Sequence, residues 1–231
     1  MCDDFKRYTV KDTNIHSALE EMYLTKTLQR FEKMKKDGRF LAFFESPIEV
    51  NGKKYLPLNE IIIALEKAIP EMLYDVDTFN IIHGDLCFAN IMVDSNFSFI
   101  KVIDPRGKFG TYDIFGDFRY ELAKLFHSVD GKYDFIIKDL FDLDYNSERA
   151  CINYRIQDRK REFNLYKVFL STFAAEIDSD LKKIELIEAL LFLSMIPLHG
   201  ESIRHQMVML GTGLEILNRV IDIQIGEKKN V

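Results

Sequence analysis

The strongest constraint on the fold is a pair of short strands bracketed by polar residues between His83 and Asp104. Ile91-Met92-Val93 is an apolar run, and Asp94-Ser95-Asn96 is a turn signal. Phe97-Ser98-Phe99-Ile100-Lys101-Val102-Ile103 is then rich in β-branched and aromatic residues. Together they predict an antiparallel hairpin. Asn90 precedes its first strand and Asp104 follows its second, so both fall at the open end. A tight turn would let Asp104 overshoot Asn90 by a few residues, at about 3.3 Å each. A longer turn reaching Phe99 sets Asn90 nearly opposite Ile103 and puts the two polar side chains side by side. The longer turn is the expected one.

The rest of the chain limits what this hairpin can belong to. With 231 residues it can bury a proper core. Its 47% apolar and 29% charged residues are ordinary for a soluble globular protein. The net charge of -6 argues against nucleic acid as the main partner. Cys2, Cys87 and Cys151 are too few and scattered for a disulfide framework, and read as reduced thiols of a cytoplasmic protein. Met1-Cys2-Asp3-Asp4 lacks the basic start of a signal peptide, and no apolar run approaches the ~20 residues of a membrane span.

Periodicity predicts a helix over 15–37 with a Ser17/Glu20 capping box, then a short strand over Phe40–Phe44. Asn51-Gly52 predicts a hairpin over Glu49–Leu56. Asn59 is expected to cap a helix carrying Ile62, Leu65 and Ile69, interrupted by Pro70. From Gly116-Asp117 the pattern reads as helical to the end, with helices over 159–176, 180–195 and about 201–220 and a frayed tail after Gly226. Arg159-Lys160-Arg161 reads as a solvated helix face. The expected class is α+β, mainly helical. One domain is expected, in three stretches: 1–80 leading in, 81–126 with the loop and hairpin, and 127–231 as a helical acceptor-side part.

Asp85 and Asn90 stand five residues apart, and Asp104 follows at +19. Phosphoryl transfer needs positioning and charge neutralisation more than covalent chemistry from the protein. Asp85 suits the acceptor of a hydroxyl proton, and Asn90 and Asp104 suit metal ions bridging phosphate oxygens. Singly, each has a plainer explanation: His83 a satisfied structural histidine, Asp85 a turn former, Asn90 a strand-start cap. The conjunction carries the signal, with His83 as a scaffold. Leu198 to His205 is a polar cluster after an apolar helix, making His199, Glu201 and Arg204 candidates for substrate binding, although a helix–helix turn explains them as well. A metal-dependent hydrolase is the weaker reading, because His16, His127, His199 and His205 stand in no ligand spacing.

The segments His83-Gly84-Asp85-Leu86-Cys87-Phe88-Ala89-Asn90 and Ile103-Asp104-Pro105-Arg106-Gly107 resemble the catalytic loop and metal-binding segment of the aminoglycoside phosphotransferase and choline kinase family, relatives of the protein kinases. Gly116-Asp117-Phe118-Arg119-Tyr120-Glu121-Leu122-Ala123 is similar to that family's Gly-Asp segment leading into a helix. The resemblance covers residues 80 to 126. It implies the C-terminal lobe of a protein-kinase-like fold, ATP and Mg2+ as cofactors, and a small hydroxyl-bearing substrate such as a sugar, choline or aminoglycoside. It further implies Asp85 as catalytic base, Asn90 as a magnesium ligand and Asp104 as the main one. Asp117 would be an acceptor bracing the catalytic loop, compatible with its plain role as a helix N-cap. Asp-Leu-Cys-Phe-Ala-Asn with Val-Ile-Asp-Pro-Arg-Gly is also similar to kinase-like proteins associated with bacterial surface-polysaccharide synthesis, which implies a sugar or polyol acceptor.

One departure stands out. Upstream of His83 the only glycines are Gly38 and Gly52, so no glycine-rich loop of an N-terminal lobe is present there. Lys53 and Lys54 lie too close to the loop, and Lys6 precedes any helix with a matching glutamate. The chain is then a piece of a longer protein, an enzyme with a reduced nucleotide site, or a relative that no longer transfers phosphate. Intact metal-binding residues favour the first. The competing function is a non-catalytic interaction or regulatory module on a kinase-like scaffold.

Overall fold

The computed structural model describes residues 7–157 and 164–226, over which the chain is α+β and mainly helical. After the two-residue strand β1 (Thr9–Val10), Ile15–Leu19, a π-helical Glu20–Thr25 and Lys26–Lys35 run on as one helix, α1. Its N-cap is Asn14, so Ser17 and Glu20 lie inside the helix and form no capping box. The predicted strand at Phe40–Phe44 is instead a 3-10 turn, Gly38–Phe40, running into α2 (Leu41–Glu45). Phe40, Phe43 and Phe44 are all buried. That three- and four-residue spacing puts them on one helical face, where a strand would split them between two.

The hairpin β2 (Ile48–Val50) and β3 (Lys53–Tyr55) forms as its turn predicts, with Asn51 at φ 49 and Gly52 at φ 78. Helix α3 (Leu58–Leu73) starts before Asn59, which is therefore not its cap, and passes through Pro70. So near the C-terminus the proline costs only the bond to the Glu66 carbonyl, and the helix runs three residues further. Its buried stripe is Leu58, Ile61, Leu65, Ile69 and Leu73.

Strand β4 (Phe79–Ile81) is the centre of a small antiparallel sheet, between β1 and β7 (Phe115–Gly116). It feeds the chain into residues 82–90. Next come β5 (Ile91–Val93) and β6 (Ile100–Val102), which among the described residues pair only with each other. Ile91 faces Val102 and Val93 faces Ile100, leaving 94–99 as the turn. The Asp94 carboxylate accepts from the N–H groups of Ser98 (2.6 Å) and Phe99 (2.9 Å), which stabilises that long turn. Ile103 N–H donates to the Asn90 carbonyl at 3.0 Å. The register is that of the longer turn, although the second strand starts at Ile100 and not at Phe97.

Beyond Gly116 the chain is not helical throughout. Helices α4 (Phe118–Val129) and α5 (Tyr133–Ile137) lead to a second long hairpin, β8 (Phe141–Asn146) and β9 (Cys151–Ile156). Alternating Phe141, Leu143, Tyr145 and Ile152, Tyr154, Ile156 are the period-two signal that a helical reading passes over. β9 pairs in parallel with β2, giving the order β3-β2-β9-β8, so stretches 1–80 and 127–231 share one sheet. Among the described residues four α-helices follow: α6 (Leu165–Thr172), α7 (Ala174–Ile177), α8 (Leu181–Met195) and α9 (Ile203–Leu217). Helix α8 is buried on every side from Ile184 to Leu193 and packs on α9, α4 and α1. Cys2, Arg159-Lys160-Arg161 and the tail after Gly226 lie outside the described residues. Among the described residues no helix is long and apolar enough to cross a membrane.

Candidate active site

The loop after β4 is held from beneath by α4. Gly84 takes a left-handed φ of +76, and two successive amides are thereby presented to one carboxylate. Glu121 Oε1 accepts from His83 N–H (3.1 Å) and Oε2 from Gly84 N–H (2.8 Å). Burial pushes the Glu121 carboxyl up, against these two bonds, which favour its charged form. His83 is buried, and its Nδ1 accepts from Asp85 N–H at 3.3 Å. That assigns the ring proton to Nε2, which donates to the Ile103 carbonyl at 2.9 Å. One imidazole thus ties the loop to the second strand at the hairpin's open end. Arg106 N–H adds a third tie, to the His83 carbonyl at 2.9 Å.

Asp85 and Asn90 meet directly. Asn90 Nδ2 donates to the Asp85 carbonyl (2.8 Å) and to Asp85 Oδ2 (3.1 Å), which leaves Asn90 Oδ1 without a hydrogen bond among the described residues. Asp85 Oδ1 pairs with Lys124 Nζ at 2.7 Å; the lysine side chain is 9% exposed and the aspartate 41%. Burial acts to lower the Lys124 ammonium, but Tyr120, Asp85 and Cys87 more than offset it, and the net shift is upward. Asp104 is exposed and follows Ile103, whose N–H and C=O are bonded to Asn90 and His83, so it leaves from the same end of the hairpin as Asn90. Its φ of +60 is unusual for a residue with a Cβ and costs of order 1 kcal/mol. Such strain persists only where surrounding bonds over-determine it, as the two on Ile103 do here.

Asp117 does not brace the loop. Its side chain caps α4, bonding Arg119 N–H (2.9 Å), the Arg119 guanidinium and the Tyr23 hydroxyl (2.8 Å); among the described residues it makes no bond to residues 83–90. Glu121, one turn further on, does that work. The sequence reading gives neither Glu121 nor Lys124 a role, although Glu121 belongs to the segment that carries the family resemblance and the two stand at i and i+3 of a helix around apolar Leu122-Ala123. No protein-family model matches this chain, and no curated protein matches it, so the functional reading stands on this geometry.

The polar cluster near the start of α9 is separate. His199 Nδ1 lies 3.0 Å from Glu201 Oε1, and His205 Nε2 lies 3.0 Å from Asp139 Oδ1. The ligand-capable atoms of His199, Glu201 and His205 fall within 4.8 Å of one another, a grouping that their sequence spacing did not suggest. Arg204 instead lies over the Phe141 ring, 5.2 Å from its centre. Tyr133 links the cluster to α4, stacking on His127 (4.4 Å between ring centres) and meeting His199 edge-on.

Proposed function

We propose that this chain is the catalytic, C-terminal-type lobe of a kinase-like phosphotransferase that uses ATP and magnesium to phosphorylate a hydroxyl of a small molecule. The observation that carries this reading is the contact of the Asn90 amide with the Asp85 carboxylate, at the hairpin end from which Asp104 also departs. Asn90 Oδ1 and the Asp104 carboxylate are hard oxygen donors, the kind Mg2+ accepts alongside phosphate oxygens and water. Cys87, on the same loop, is buried, and desolvation followed by the Asp85 charge pushes it up, so a soft-metal site is disfavoured. When bound, the metal would neutralise charge on the transferring phosphate.

The chain's own part is positioning. Lys124 and Asn90 hold the Asp85 carboxylate from two sides, and its remaining lone pairs can accept the acceptor's hydroxyl proton without a rotamer change. Glu121 and His83 keep the loop from yielding as charge develops. The outer residues of the active-site hairpin, Met92, Phe97, Phe99 and Ile100, are exposed and apolar, which suits a surface that a nucleotide base and a covering lobe would bury.

Thermal unfolding with and without magnesium and ATP tests the reading. Nucleotide at about 100 times its dissociation constant should stabilise the protein by about 2.7 kcal/mol, only with magnesium. Asp104→Ala should abolish that gain. No stabilisation at millimolar magnesium-ATP would leave the non-catalytic module as the better reading.

A further inference from the structure

At Arg106, whose backbone N–H bonds the His83 carbonyl, the molecule opens a cleft of about 560 Å3 between α1 and the loop after Asp104. Lys26 and Arg30 line one wall, Arg106 and Lys108 the other, and Glu21 is the one carboxylate among the lining residues. None of the four cations makes an ion pair among the described residues. In a chain of net charge -6, with 37 acidic residues against 31 basic, that concentration of unpaired positive charge does not follow from composition.

Resting on the phosphotransferase reading above, we infer that the acceptor is itself an anion: a small alcohol already carrying a phosphate group, which this cleft grips while Asp85 addresses its hydroxyl.

Three observations support this. Lys26 is half-buried, and its ammonium is lowered to about 8, first by burial and then by Arg106, Arg30 and Lys124. Holding an ammonium against three like charges is unfavourable, and a bound dianion would remove the penalty. Second, Arg106 is pre-set: its N–H bonds the His83 carbonyl, and NH1 donates to the Tyr120 hydroxyl at 2.6 Å. A guanidinium has five N–H donors, so others remain for a ligand, and one anchored on the catalytic loop cannot drift away from Asp85. Third, α1 widens into its π turn at Glu20–Thr25, so that Glu21, Met22 and Thr25 line the same cleft just ahead of Lys26. Such turns recur at functional sites because they alter which side chains share a face.

The cleft also discriminates. A cationic alcohol such as choline or an aminoglycoside would meet Lys26, Arg30, Arg106 and Lys108, with Glu21 alone to balance them. A neutral polyol would leave the cations unpaired.

Calorimetric titration of the full chain with glycerol 3-phosphate, glycerol and choline at fixed ionic strength tests the inference. Glycerol 3-phosphate should bind and the other two should not. Affinity should fall at least tenfold in a Lys26→Gln/Arg30→Gln double variant and severalfold in Lys108→Gln on the opposite wall. Magnesium-ATP affinity should stay within about twofold in both variants. Equal binding of glycerol and its phosphate, preference for choline, no binding of the phosphate at millimolar concentration, or unchanged affinity in both variants would overturn it. So would a matching loss of magnesium-ATP affinity, which would make this the seat of the nucleotide's own phosphates. The titration needs neither nucleotide nor turnover, so it fails separately from the reading it rests on: that reading falls if magnesium-ATP stabilises no form of the protein.

Discussion

The hairpins β2–β3 and β5–β6 have strands of the same length and opposite surroundings. In the first, Ile48, Val50 and Tyr55 are buried, and β9 and β8 extend the sheet beyond it. In the second, the two strands pair with no other among the described residues, and apolar side chains face outward, Phe97 with 86% of its surface exposed. Both are rich in residues that favour strands, so propensity does not separate them. A covering layer does. The first is held by the burial of Ile48, Val50 and Tyr55, the second by hydrogen bonds at its mouth, where His83 and Asn90 bond Ile103. Strength lies in one place and reactive groups in the other.

The largest expected effect falls at that mouth. Asp85→Asn should lower turnover by about 10²–10⁴-fold, the usual contribution of a general base. It should also lower the unfolding temperature, because the buried Lys124 ammonium loses its carboxylate. Adding Lys124→Met should restore stability without restoring turnover; near-normal turnover in the single variant would remove Asp85 from its role.

The buried hairpin should respond in stability instead. Ile48→Ala should cost about 2–5 kcal/mol in urea unfolding, whereas Phe97→Ser should stay within about 0.5 kcal/mol. Equal costs would break the contrast. His83→Ala sharpens it: loss of two bonds should cost about 1–3 kcal/mol, and hydrogen exchange should quicken at the Ile103 amide while that of Asn51, bonded to the Ile152 carbonyl, is unchanged.

The smallest effect concerns the positive charge grouped near the exposed hairpin's mouth. Lys26 faces Arg106, Arg30, Lys124 and Glu21. Its folded value of about 8 lies below the ordinary 10.5, so between those values the unfolded chain binds the extra proton and stability rises with pH. Lys26→Met should therefore be the more stable form below pH 8, by about 1 kcal/mol after screening, and the advantage should fade toward pH 10.5. A pH-independent difference would show that Lys26 carries no such strain.

Local features were legible in the residues. The register that sets Asn90 opposite Ile103 follows from a turn long enough to reach Phe99, and Asn51-Gly52 specifies its own turn. Other features were not. Three phenylalanines within Phe40–Phe44 satisfy either period until the core selects one face. Strand β9 carries a period-two signal of its own, but its parallel partner β2 lies about 100 residues earlier, and nothing local announces that pairing. Asp117 and Glu121 are both carboxylates in the opening of α4; at the N-cap the first turns back onto its own helix, and the second reaches the loop.

Turn chemistry and side-chain period act over a few residues, so the order of strand, loop and hairpin, and the set of polar groups they carry, were written in the chain by itself. Which carboxylate braces the loop, which lysine pairs with Asp85 and where unpaired cations collect were decided only in three dimensions. Desolvation and charge grouping depend on neighbours delivered from distant parts of the chain, and no local pattern encodes them.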